Sequence, residues 1–179
     1  MIHIDIPGFG ELELQHLVLD YNGTLAVDGQ PVEGVAERLK RLSLDLSIHV
    51  ITADTFGTVE KKLGHLPLTV AVLGKDRQDQ AKLDYVNRLG AGITASIGNG
   101  RNDRLMLRAS ALGMAVILNE GACFETLQSA KLVFTSITDA LGNVTTIVYD
   151  AHGLVLTQTQ PKGNLTAAPD DTGAEGDTL

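Results

Sequence analysis

Short apolar runs recur along the chain, separated by segments whose apolar residues repeat at helical spacing. Runs at 17–19, 48–51, 69–73, 95–97, 115–118 and 132–134 predict strands. Between them, 35–44, 58–63, 80–89, 103–112 and 123–130 predict helices, the first with Val35, Leu39 and Leu42 on one face. Strand and helix alternating at this pitch predict a doubly wound α/β fold, a mostly parallel sheet with helices on both faces. The near-continuous apolar strands suit burial on both sides.

Two segments break the alternation. Residues 25–32, with Asp28-Gly29 at a turn, predict a small flap hairpin. After 141 the texture changes: 144–149 and 154–158 predict two strands joined by Asp150-Ala151-His152-Gly153. From Pro161 onward almost nothing is apolar, and Lys162 stands against Asp170, Asp171, Glu175 and Asp177. Such a segment cannot bury enough surface to order itself. The expected division is a catalytic core over 1–141, a hairpin appendage over 142–160 and a disordered acidic tail over 161–179.

Charge narrows the partners. The chain has 179 residues and a formal net charge of −8, with no basic stretch. A broad phosphate-neutralising face for nucleic acid is therefore not expected. No apolar run approaches the ~20 residues of a membrane span, and the N-terminus lacks a basic region followed by an apolar one. A single cysteine, Cys123, excludes an internal disulfide and suits a reducing compartment, so a cytoplasmic protein is expected. Cys123 itself is expected to be buried and inert. The five histidines show no ligand spacing.

In a parallel α/β sheet, ligands sit beyond the carboxyl ends of the strands. The first strand is followed by Asp20-Tyr21-Asn22-Gly23-Thr24, the second by Thr52-Ala53-Asp54, and the fourth by Gly98-Asn99-Gly100-Arg101-Asn102-Asp103. Lys82 lies in the first half of the helix before that fourth strand. Each piece has an ordinary alternative. Asn22-Gly23 makes a turn, Thr52 ends a strand, Asp54 caps a helix, Lys82 is a solvated helix residue with Lys75 as its rival, and 98–103 is a Gly/Asn loop.

Taken in order, these motifs resemble the haloacid dehalogenase superfamily, whose pattern is Asp-x-Asp-Gly-Thr, then Thr or Ser, then Lys, then Gly-Asp-Gly-x-Asn-Asp. The match covers about 12–140, and Thr52-Ala53-Asp54 with the Lys82 spacing looks like the phosphorylation domain of P-type ATPases. The resemblance implies a Mg²⁺-dependent phosphatase with Asp20 as the nucleophile that forms an aspartyl-phosphate. It implies phosphate binding by Thr52 and Lys82, and metal binding by Asp20, the Asn22 carbonyl, Asn99 and Asp103. It also implies a phosphorylated substrate and, with no cap domain in the chain, a homo-oligomer.

Two departures bear on activity. Asn22 occupies the place of the acid/base Asp, and an amide has no proton to transfer near neutral pH. Asn99 stands where the family has a metal-binding Asp. Two readings follow: a slow phosphatase, or a catalytically weak relative that binds a phosphorylated ligand or partner. Residues 142–153, with Pro161 and Gly163-Asn164, look like one Tyr-Asp repeat of Rhs-type shell proteins, and no function attaches to them.

Overall fold

The computed structural model describes residues 1–6, 10–54, 57–74 and 76–144, and the backbone of 148–149 and 155–157. The chain opens with β1 (Ile2–Ile6) and β2 (Gly10–Leu14), an antiparallel hairpin in which Ile2 faces Leu14 and Ile4 faces Leu12. β3 (His16–Asp20) enters the main sheet, and β4 (Ala26–Val27) with β5 (Gln30–Pro31) makes a small hairpin after it. Four helix–strand units follow: α1 (Val35–Leu42) and β6 (Ser47–Thr52), α2 (Thr58–Leu63) and β7 (Thr69–Val72), α3 (Gln78–Leu89) and β8 (Thr94–Gly98), α4 (Arg104–Ala109) and β9 (Leu112–Val116). α5 (Phe124–Ser129), β10 (Leu132–Phe134) and α6 (Ile137–Asn143) complete the core.

The six main strands are all parallel, in the order β10-β9-β8-β3-β6-β7. Sequence order runs outward from β3 in one direction, then jumps back across it to β8. The crevice at that reversal lies between the ends of β3 and β8.

Period-two alternation assigns the strand residues to the two faces. Leu17 and Leu19 point to the side covered by α1, α2 and α6, where Leu39, Leu63, Ile137 and Leu141 join one large cluster. Val18, Ile51 and Ala115 point to the other side, against Val86 of α3 and Met106 and Leu107 of α4. Full burial of a side chain such as Leu17 contributes about 1.5–3 kcal/mol.

Four expectations need correction. The β1–β2 hairpin is not among the predicted elements, although its Ile4, Leu12 and Leu14 belong to the core. The predicted helix 103–112 ends at Ala109 and the next strand starts at Leu112, earlier than the expected 115. Leu112 to Val116 are all buried while Ile117 is exposed, so burial favours the earlier register. Val144 belongs not to a strand but to the end of α6, where Ile137, Ala140, Leu141 and Val144 bury one helical face. Cys123 is half-exposed, its thiol donating to Glu125 Oε2 at 2.8 Å.

Further on, β11 (Val148–Tyr149) and β12 (Val155–Thr157) pair antiparallel. Lys75, the connection 150–153 and the expected tail 161–179 lie outside the described residues. Among the described residues no helix is long and apolar enough to cross a membrane.

Two histidines meet despite their distance in sequence. His16 Nδ1 is 3.2 Å from His49 Nε2, and His49 Nδ1 is 3.0 Å from the Tyr85 hydroxyl. Burial holds both imidazoles below their ordinary range. His16 begins the strand that Asp20 ends, so the pair is remote from the crevice.

Candidate active site

β3 carries Asp20 to the reversal point, and α3 brings Lys82 to it from the neighbouring layer. Lys82 is 3% exposed. Its Nζ donates to Asp20 Oδ1 at 2.6 Å and to Asp103 Oδ1 at 2.5 Å. The other oxygen of Asp103 accepts the backbone N–H of Asn99 (3.0 Å) and of Gly100 (2.9 Å). Asp103 is wholly buried and well satisfied.

One ammonium thus serves two carboxylates. Burial, reinforced by the Asp103 charge, pushes the Asp20 carboxyl up to about 7 against the pull of Lys82. Burial also works against the Lys82 charge, but the two carboxylates outweigh it and hold the ammonium above its ordinary range. The Asp20 position is therefore electrostatically tense, with two carboxylates sharing one ammonium.

The turn after Asp20 is built around a residue that sequence reasoning left without a role. Thr24 is fully buried; its hydroxyl lies 3.2 Å from Asn99 Oδ1 and 3.5 Å from Asp20 Oδ2. Asn99 in turn donates from Nδ2 to the Gly121 carbonyl at 3.1 Å. Gly23 has φ +72° and sits so close that a Cβ there would lie 2.4 Å from Asn99 Nδ2. Only glycine permits this contact between the two loops. The signal for Thr24 was its place at the end of the Asp20 pentapeptide, but burial and partner were invisible in sequence. The Gly23 N–H donates to the Ala26 carbonyl at 2.8 Å and closes the turn.

Thr52 and Asn22 flank Asp20 on the adjacent strand end and in the following turn. Asp20 pairs in register with Ile51, so buried Thr52 ends the adjacent strand one step further on. Its oxygen accepts the Asp54 N–H at 3.1 Å, which leaves the hydroxyl hydrogen able to donate elsewhere. Asp54 accepts the Val59 N–H at 2.9 Å and so caps the start of α2. Asn22 is exposed beside the β4–β5 hairpin, bridged through its backbone to Ala26.

The donor set of the crevice is hard oxygen: two carboxylates and the Asn99 amide oxygen. Asp20 Oδ2 is not bonded to Lys82; the Thr24 hydroxyl lies 3.5 Å from it, and the Asp20 side chain is 13% exposed. That chemistry fits Mg²⁺, which takes one or two carboxylates and completes its shell with water and phosphate oxygens.

A family model described as RHS Repeat matches residues 135–167. The chain is 48% identical over 46 residues to the uncharacterized protein MJ0073 of Methanocaldococcus jannaschii, covering 26% of this chain and 50% of that protein. It is 49% identical over 39 residues to MJ0072 of the same organism, covering 22% of this chain and 89% of that protein. The chain therefore spans half of the first relative and most of the second.

Among solved structures, a HAD family hydrolase from Streptomyces avermitilis matches with TM-score 0.57 and 18% identity, over 81% of this chain and 94% of that one. A 3-deoxy-D-manno-octulosonate 8-phosphate phosphatase from Moraxella catarrhalis, in complex with magnesium, phosphate and the sugar acid, matches with TM-score 0.58 and 19% identity, over 73% and 85%. The cobalt-bound phosphatase of the same name from Haemophilus influenzae gives 0.58 and 16%, over 74% and 90%. The chain shares the fold of these haloacid dehalogenase-type hydrolases, and by sequence it belongs to the family of MJ0072.

Proposed function

We propose that this protein is a Mg²⁺-dependent phosphohydrolase that works through an aspartyl-phosphate on Asp20. The observation that carries the reading is the Lys82 ammonium held between Asp20 and Asp103 at the reversal point of the sheet. In this reading Asp20 Oδ2 attacks phosphorus, the bond to the leaving oxygen breaks, and that oxygen takes a proton from water. A water then attacks phosphorus, returning the Asp20 carboxylate and releasing inorganic phosphate.

Asp20, the Asn22 carbonyl, Asn99 and Asp103 would hold the metal, which would neutralise charge between nucleophile and phosphate. Lys82 keeps Asp20 and Asp103 at a fixed separation. The Thr52 hydroxyl supplies a hydrogen bond to a phosphoryl oxygen. Asn22 cannot shuttle a proton, so turnover lacks the roughly 10²–10⁴ that acid–base assistance provides. A long-lived phosphoenzyme, as in P-type ATPases, is the expected consequence.

Asn22 and Asn99 also favour a second reading, in which the crevice binds a phosphorylated ligand with little turnover. The deciding experiment incubates the protein with Mg²⁺ and acetyl phosphate or an aryl phosphate. Phosphate release is measured alongside intact mass. A hydroxylamine-sensitive phosphoryl adduct that Asp20→Asn lacks supports the first reading. Saturable binding without adduct or release supports the second.

A further inference from the structure

A small pocket adjoins the Asp20 crevice. Three polar contacts lace the first turns of α3 to the loop after β8: Asn102 Nδ2 to Gln78 Oε1 at 2.7 Å, Arg104 Nη2 to Asp79 Oδ2 at 2.8 Å, and Lys82 Nζ to Asp103 Oδ1 at 2.5 Å. Beside the first two lies a cavity of about 270 Å³ lined by Gln78, Asp79, Arg101, Asn102 and Arg104. Gln78 precedes Lys82 by one helical turn, about 5.4 Å, and a helix of this fold starts at the strand-end side of the sheet. The pocket therefore opens on the same side as the crevice, next to the loop that supplies Asp103.

Its charge runs against that of the chain. Two arginines and two side-chain amides face one carboxylate, in a protein of net charge −8. The Arg104 guanidinium is occupied, with Nη2 on Asp79 and Nη1 donating to the Arg101 carbonyl at 2.8 Å. Arg101 is different. Its side chain is 72% exposed, and its ion pair is a loose one, 3.6 Å from Glu125 Oε1. It is an exposed guanidinium among the residues that line the pocket.

We propose that this pocket binds a carboxylate of the substrate through Arg101, supported by Asn102, so that the preferred substrates are phosphorylated hydroxy acids. This rests on the phosphohydrolase reading above. A guanidinium fork matches a carboxylate in two parallel hydrogen bonds, and the volume accommodates a carboxylate on a few carbons.

The test uses the full chain with Mg²⁺ and two matched series. One series is ω-phosphoryloxy alkanoates of increasing length, and the other is alkyl phosphates of equal length. The proposal requires kcat/KM to favour the acid at one chain length by about ten- to hundredfold, the range of a charge-assisted hydrogen bond. Arg101→Gln should collapse that preference, and Arg101→Lys should retain part of it. Equal kcat/KM on both series, or an equal loss on both in Arg101→Gln, overturns the proposal. If no phosphate ester is hydrolysed, the phosphatase reading has failed, and the pocket is tested by calorimetry with phosphonoalkanoates against alkyl phosphonates. A preference for the acid that Arg101→Gln removes supports the pocket, and no preference overturns it.

Discussion

Replacing Lys82 by Met would remove the one cation between two buried carboxylates while keeping most of the side-chain volume. Breaking a buried pair from one side costs about 3–5 kcal/mol, because the remaining charge is left without a partner. For a chain of this size that is a fall in Tm of about 6–20 °C, at 2–4 °C per kcal/mol. The loss should depend on pH in a stated direction. Asp20 already binds its proton up to about 7 in the intact site, and removing Lys82 raises it further. At pH 5.5 a neutral Asp20 leaves only Asp103 unpaired, whereas at pH 8.5 two like charges begin to compete. The destabilisation is thus larger at the higher pH. Melting curves of both proteins at the two pH values, in EDTA, give the difference. Added Mg²⁺ should then stabilise Lys82→Met more than the parent, since the variant has the greater need of a cation. A loss under about 1 kcal/mol at both pH values, the size of a solvent-exposed pair, would refute the buried triad.

Other outcomes follow from the same geometry. The folded Asp20 carboxyl titrates near 7 and the unfolded one near 3.8, so the native state holds the extra proton between them; metal-free stability should fall as pH rises through that window, and Asp20→Asn should flatten the curve. Asn22→Asp should raise turnover of an aryl phosphate by up to ~10²–10⁴, measured at saturating Mg²⁺; no change would mean that position 22 has no acid–base role. Asn99→Asp should lower the Mg²⁺ concentration for half activity, yet lose the donor to the Gly121 carbonyl and about 1–3 kcal/mol of metal-free stability, read by urea titration. Gly113→Ala should destabilise by about 3 kcal/mol or more, because its Cβ would lie 2.0 Å from the Leu107 carbonyl oxygen, a backbone atom that cannot rotate away; a melting temperature within a degree or two of the parent would contradict that packing.

The cluster of Asp20, Lys82 and Asp103 was more legible in the sequence than the framework around it. Asp20 and Asp103 follow strands whose apolar runs are unmistakable, and Lys82 lies on a helix predicted within two residues of its observed start. Local pattern suffices for such residues, because position at a strand end decides where they point. Thr24 and Asn99 are harder. Their value comes from a hydrogen bond across 75 positions, which no local pattern encodes. The β1–β2 hairpin was missed because its strands alternate apolar and polar residues instead of forming a continuous apolar run, and the pairing of Ile4 with Leu12 is what joins them. Thr52 and Asn22 show the reverse limit. Their motif places are plain in sequence, but the hydroxyl of one is turned to Asp54 and the other faces solvent.

α6 bears on how the chain could be cut or joined. The stretch matched by the RHS Repeat model starts at 135, yet Ile137, Ala140, Leu141 and Val144 are each at most 1% exposed within the large core cluster. A shortened chain ending at 134 would therefore uncover β9 and β10 beside α1, and one ending at 141 would still lose the last of the four anchors. The stretch that the model matches and the core sheet thus share α6. A fusion or truncation that respects the core has its earliest junction just after Val144, and a graft of the stretch from 135 onto another protein would have to carry an apolar helix face looking for a partner.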